Sequence, residues 1–153
     1  MIYLSAHFTL EEMTRSEYAI RMGLRNTPDL HAVNSMGRLC EEVLEAVRLQ
    51  VGSPIIVSSG YRSPAVNLGI GGSPTSQHMI GEACDFTIPD HGNMEAIIQI
   101  VRSQVEIPFD QLIYEGGESG WIHISHASFG VQRRRVLSAD FSSGKAVYSV
   151  LAV

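Results

Sequence analysis

The chain has 153 residues, of which 44% are hydrophobic and 18% charged, enough apolar material for one buried core and too much for a disordered segment. Its 11 basic and 16 acidic residues give a formal net charge of -5, which argues against general nucleic-acid binding, because that affinity comes from many Lys and Arg contacts to phosphates. Cys40 and Cys84 stand too far apart for a CxxC pair or a disulfide framework and read as small buried apolar residues.

Leu4 to Thr9 reads as a short extended segment, and Thr9 followed three residues later by Glu12 has capping-box spacing, so a helix is expected to start there. Leu10, Met13 and Tyr18 supply its apolar face, and Gly23 with the turn Asn26-Thr27-Pro28 ends it. From Pro28 to Gln50 apolar residues recur at Leu30, Val33, Met36, Leu39, Cys40, Val43, Leu44 and Val47, the spacing of a long amphipathic helix. Pro54 to Ser58 holds the run Ile55-Ile56-Val57 and predicts a buried strand. Ser58 to Gly81 is rich in glycine and hydroxyl residues with little periodicity, and a connection of that length in a compact domain is usually functional. It leads into Ala83 to Ile88, whose alternation predicts a strand. Met94 to Val105 predicts a second helix, with Pro108 beyond its end. Gln111 to Tyr114 and Trp121 to Ser125 predict a hairpin around the glycine-rich turn 116–120. Val131 to Val153 holds two more strand-like runs around Ser142-Ser143-Gly144, and Arg133-Arg134-Arg135 reads as a solvated strand face.

Six histidines are the natural place to look for a metal, although no HExxH motif is present. Two segments stand out: Ser76-Gln77-His78-Met79-Ile80-Gly81-Glu82-Ala83-Cys84-Asp85, and Trp121-Ile122-His123. Taken alone, His78 and Asp85 are compatible with a loop histidine and a strand-end carboxylate of no shared purpose. Together the segments resemble the zinc D-alanyl-D-alanine carboxypeptidase family, whose signature is S-x-H-x-x-G-x-A-x-D followed later by W-x-H. Ser76, His78, Gly81, Ala83 and Asp85 fill the first pattern, and Trp121 with His123 the second. Upstream, Ser59-Gly60-Tyr61-Arg62 matches an S-G-Y-R element of that family, and His7 to Thr14 looks like the start of its small phage-associated branch. The resemblance runs from about Leu4 to Ser128 and fades over the remainder.

The resemblance implies a single Zn²⁺ held by His78, Asp85 and His123, and the chemistry of the residues agrees. A catalytic zinc takes three protein ligands from imidazole and carboxylate groups and keeps a further position open. On a strand, Ala83, Asp85 and Thr87 share one face and Cys84 and Phe86 the other, while Trp121 and His123 point opposite to Ile122 and Ile124. Asp85 and His123 are thus expected to project from neighbouring strands onto one side of a sheet. Many members carry an acidic general base three residues before the last histidine, but that position here is Gly120. Glu115 has the strand parity to approach the metal face and is the favoured base; Glu118, in the turn, is the alternative. Arg62 is implied as the substrate arginine that stabilises the oxyanion. Ser76 is expected to bond substrate or support a ligand, and Trp121 to wall the cleft. His126 reads as a substrate-side donor or a surface histidine and is expected to point off the metal face, and His7, His31 and His91 have no matched partner.

The expected architecture is a single α+β domain over 1–153, with helices on one face of a small antiparallel sheet and a zinc cleft on the other. The implied activity is hydrolysis of peptide bonds in bacterial peptidoglycan, with stem peptides as partner and a monomeric protein touching neither nucleic acid nor membrane. A zinc-containing binding or virion module of the same fold, without turnover, is the alternative that Gly120 keeps open. Met1 to Leu10 has no basic n-region or apolar h-region, so synthesis in the cytoplasm is expected, with access to the wall by holin-type release or as a virion component.

Overall fold

The computed structural model describes residues 1–151, so the end of the last expected run, Ala152 and Val153, lies outside the described residues. The first expected helix forms as two: α1 (Leu10–Thr14), capped by the Thr9 hydroxyl, and α2 (Glu17–Met22), capped by Ser16 and closed by Gly23 in the left-handed region. Arg15, in extended conformation, breaks the run, and the next serine opens a new helix by accepting from the Ala19 N–H. The long helix is continuous from 30 to 51. It comprises α3 (Leu30–Arg38), a π-helical turn (Leu39–Leu44) and α4 (Glu45–Val51). Met36, Leu39, Cys40, Val43, Leu44 and Val47 are fully buried, as their spacing requires, whereas Leu30 at the solvent end is exposed.

Among the described residues β1 (Ile56–Ser59) pairs only with β2 (Ala83–Thr87) and lies at the sheet edge, so Ile56 is half exposed instead of buried. The segment between them contains α5 (Pro64–Gly69), capped by Ser63, and a 3₁₀ turn at Gln77–Ile80. After α6 (Met94–Ser103) come β3 (Gln111–Glu115), β4 (Trp121–Ser125), β5 (Arg135–Asp140) and β6 (Val147–Val150). The strand order is β1-β2-β4-β3-β5-β6. Every neighbouring pair is antiparallel except β3 and β5, which run parallel because the chain leaving β4 passes over the start of β3 before entering β5.

The α+β layering follows from strand parity. Cys84, Phe86, Leu112, Ile122 and Ile124 pack in one core with Met36, Leu39, Val43, Ile97, Ile98 and Val101 from the helices. The alternate residues of the same strands, Asp85, Ile113, Glu115, Trp121 and His123, occupy the other face. Both cysteines are free and fully buried, and burial pushes the Cys40 thiol far above its ordinary range, out of reach of thiolate chemistry. No helix among the described residues is long and apolar enough to cross a membrane.

The basic run is a solvated face only in part: Arg135 is exposed at the start of β5, while its two neighbours are tied down. Arg133 clamps the buried Asp110 carboxylate at 2.6 Å. Arg134, with φ 52°, donates to the carbonyls of Arg102, Gln104 and Ile107 at the end of α6 and lies 4.3 Å over the Phe109 ring. A guanidinium can satisfy several helix-end carbonyls at once, which a charge count along the chain does not reveal.

Candidate metal centre

His78 sits on the 3₁₀ turn, whose first N–H groups are capped by Ser76. Its ring is fully inside the protein, and Nδ1 donates to the Gly60 carbonyl at 2.7 Å. That bond sets the tautomer and leaves Nε2 bare toward the site, as a metal-ligating imidazole requires. Burial lowers the His78 pKa against the opposing pull of Asp85, which favours the neutral form that a ligand needs. Gly60 is obligatory here, since a Cβ on it would lie 2.2 Å from the Met13 carbonyl oxygen. In return the Arg62 N–H donates to the His78 carbonyl, and the two loops are closed on each other.

Asp85 and His123 are direct partners across β2 and β4. Asp85 Oδ1 lies 2.9 Å from His123 Nδ1 and 3.3 Å from His78 Nε2, and the two imidazoles meet edge to face. Burial works against the Asp85 charge, but His78 and His123 outweigh it and hold the carboxyl well below the usual carboxylate range. The ligand atoms of His78, Asp85 and His123 all lie within 4.8 Å of one another. Two imidazoles and an ionised carboxylate converging from a turn and two strands could hold a metal ion, and three such donors leave a further position open. The donors were legible in the sequence; the structure brings all three together.

Arg62 reaches the same carboxylate from the opposite side, with Nη2 2.9 Å from Asp85 Oδ2 and Nε 3.0 Å from the Ser59 hydroxyl. A register shift in β1 between Val57 and Ser59 makes this possible, with Ser58 bulged out and donating to the Asp85 carbonyl. Arg62 therefore orients a ligand as well as facing the site, a job that the sequence does not disclose.

Glu115 is the cross-strand partner of Trp121, next along the sheet from the Ile113–His123 pair. Its carboxyl is pushed up, first by burial and then by the Asp85 charge, against the opposing pull of His123. The Trp121 indole N–H leans on that carboxyl, yet it is buried without a hydrogen bond of ordinary geometry. Gly120 has no room for an acid, because a Cβ there would stand 1.9 Å from the Glu115 carbonyl oxygen. Glu118 falls on the 3₁₀ turn Gly117–Ser119, and its side chain lies outside the described residues.

The other expected participants have local tasks. Ser76 caps the turn that bears His78. Trp121, half-buried on the metal face, packs 6.1 Å from the Phe141 ring. His126 is not a surface histidine but is buried beside Glu42 at 3.2 Å, while His7 bonds Glu45 and His31 stacks on Phe129. Not evident from the sequence is the Gln77 amide, which donates to both Glu82 and Asp110 and anchors the turn that holds His78.

A helix-backed sheet with a buried His-Asp-His cluster on its open face, flanked by an arginine and a carboxylate, is the arrangement of a mononuclear metallohydrolase. The family model of Peptidase M15 matches residues 6–125, and the chain belongs to that zinc-dependent metallopeptidase family. No curated protein matches the chain.

Proposed function

We propose that this protein hydrolyses peptide bonds in bacterial peptidoglycan, as a D-alanyl-D-alanine carboxypeptidase or a stem-peptide endopeptidase of the endolysin kind, using one zinc ion at His78, Asp85 and His123. The observation that carries the reading is Glu115: a half-buried carboxyl with a raised pKa, on the same sheet face as the three ligands, where the commoner acidic position is closed by Gly120. A general base works best with its pKa near the working pH.

Zinc bound there supplies Lewis acidity for the scissile carbonyl and the attacking water. Glu115 takes a proton from that water as its oxygen bonds to the carbonyl carbon. The same proton passes to the amide nitrogen as the C–N bond breaks, the second proton of the water follows it, and the products leave as a carboxylate and a protonated amine. Arg62 keeps Asp85 oriented with Nη2, and the remaining donors of its guanidinium fork serve the developing oxyanion. Ser76 holds His78 in place and Trp121 walls the cleft.

On this reading the protein acts on the cell wall, reached by holin-type release or as part of a virion. Mass spectrometry of defined muropeptides incubated with zinc-loaded protein tests the assignment: loss of the terminal residue marks a carboxypeptidase, and a divided stem or cross-link an endopeptidase. Intact muropeptides beside folded, zinc-loaded protein would leave a binding module of the same fold.

A further inference from the structure

Two ranks of side chains cross the metal face. Strand register places Asp85, His123, Ile113, Leu137 and Val150 in one, and Trp121, Glu115, Ala139 and Tyr148 in the next. At about 4.8 Å between strands, β6 extends this face about 10 Å beyond β3. Ala139 stands between Glu115 and Tyr148. With only a methyl group it is 6% exposed, which on an outward face requires neighbouring side chains to lean over it. Leu137, Ala139 and Ile113 form a small apolar cluster apart from the main core, and Phe141 continues it to Trp121. Beyond this floor Phe141 and Tyr148 remain 41% and 52% exposed, an apolar rim beside the metal centre.

We propose that the β5–β6 hairpin is a wall of the substrate groove, with Tyr148 donating a hydrogen bond to a peptide carbonyl beside Glu115 and with Leu137, Ala139 and Phe141 as the apolar ledge beneath the chain. Leu137, Ala139, Phe141 and Tyr148 all lie beyond the segment that the family model matches. The chemistry fits a peptide backbone: a neutral O–H donor set among acidic groups suits a carbonyl oxygen better than a carboxylate, and the ledge suits small aliphatic side chains. Burial and then the charges of Glu115 and Asp85 push the phenol up, which keeps it protonated and places it within the field of the site. The identity of the ligand rests on the peptidase reading above.

The test uses the full zinc-loaded chain with a disaccharide-pentapeptide muropeptide as probe. Trp121, the single tryptophan, lies on the same face and reports occupancy by its fluorescence. Tyr148→Ala is expected to raise Kd and KM by about tenfold or more with a smaller change in kcat, and Tyr148→Phe to weaken binding about threefold to tenfold, at unchanged zinc content and melting temperature. Tyr148→Phe keeps the ring, so it tests the hydroxyl even if the alanine variant is unstable. Wild-type Kd in Tyr148→Phe removes the hydrogen bond, and wild-type Kd in both variants removes the wall, while the peptidase reading stands as long as the wild type cleaves. A wild type that neither binds nor cleaves the muropeptide overturns the peptidoglycan reading and this inference together.

Discussion

Asp85 and Asp110 are both buried aspartates paired with an arginine, and they do different work. Asp110 accepts from the Arg133 backbone N–H and side chain and from Gln77, all fixed donors, and its carboxylate is consumed in joining the start of β3 to the start of β5. Asp85 gives one oxygen to Arg62 and turns the other toward two imidazoles, one of them that of the buried His78. A carboxylate saturated by backbone, amide and guanidinium N–H groups has nothing left for a cation, whereas one that meets two imidazole nitrogens, which can give up a proton for a cation, has the donors of a metal site beside it. The partners of a buried acid therefore discriminate between structure and chemistry better than its burial does.

The strongest test of the contrast is on the metal. Asp85→Ala is expected to abolish stoichiometric zinc binding and with it all hydrolysis, read by elemental analysis of the purified protein, whereas Asp110→Asn should retain its zinc. Full zinc occupancy in Asp85→Ala would mean that the ion is held elsewhere.

Glu115→Gln keeps the shape of the side chain but cannot take a proton, and turnover should fall by about 10² to 10⁴-fold with zinc retained. Gly120→Asp should not restore activity in that background, because any Cβ at position 120 collides with the Glu115 carbonyl oxygen. Glu118→Gln should remain active. The reverse ranking of the two glutamates, in folded and zinc-loaded variants, transfers the base to the turn.

Arg62→Ala is expected to lower turnover by about 10²-fold, the scale of losing an oxyanion donor. Because Arg62 also holds Asp85 Oδ2, zinc affinity should weaken by about 10-fold to 100-fold, measurable by competition with a chelator. Unaltered kinetics at saturating zinc would reduce Arg62 to its orienting task.

The smallest effect on chemistry belongs to Asp110→Asn, which should cost about 1 to 3 kcal/mol of stability while leaving turnover near the wild-type value. Burial pushes the Asp110 carboxyl up, but Arg133 outweighs it and holds the folded pKa below the ordinary value. The stabilisation is then complete above the unfolded pKa of about 3.9 and is lost as pH falls through the lower folded value. Thermal melts should accordingly show the gap between wild type and Asp110→Asn narrowing toward low pH; a constant gap would assign the loss to packing.

The ligand set and the face it occupies were legible because strand parity is a local property. Once Ala83 to Thr87 and Trp121 to Ser125 are strands, the two-residue period puts Asp85 and His123 on the side opposite Phe86 and Ile122. Helix caps at Thr9 and Gly23 and the buried stripe of the long helix are local in the same sense. What pairs with what is not local. The edge position that exposes Ile56, the bulge at Ser58 that delivers Arg62 to Asp85, the pairing of Arg133 with Asp110, the inward turn of Arg134, and the parallel β3–β5 pair that brings Tyr148 into one rank with Glu115, across Ala139, all depend on contacts between distant segments. By itself the sequence determined which residues can bind a metal and which way they point along their own strands. Only the tertiary structure decided their neighbours, because strand order and register are chosen by the packing of the whole sheet on its helices and not by any one segment's periodicity.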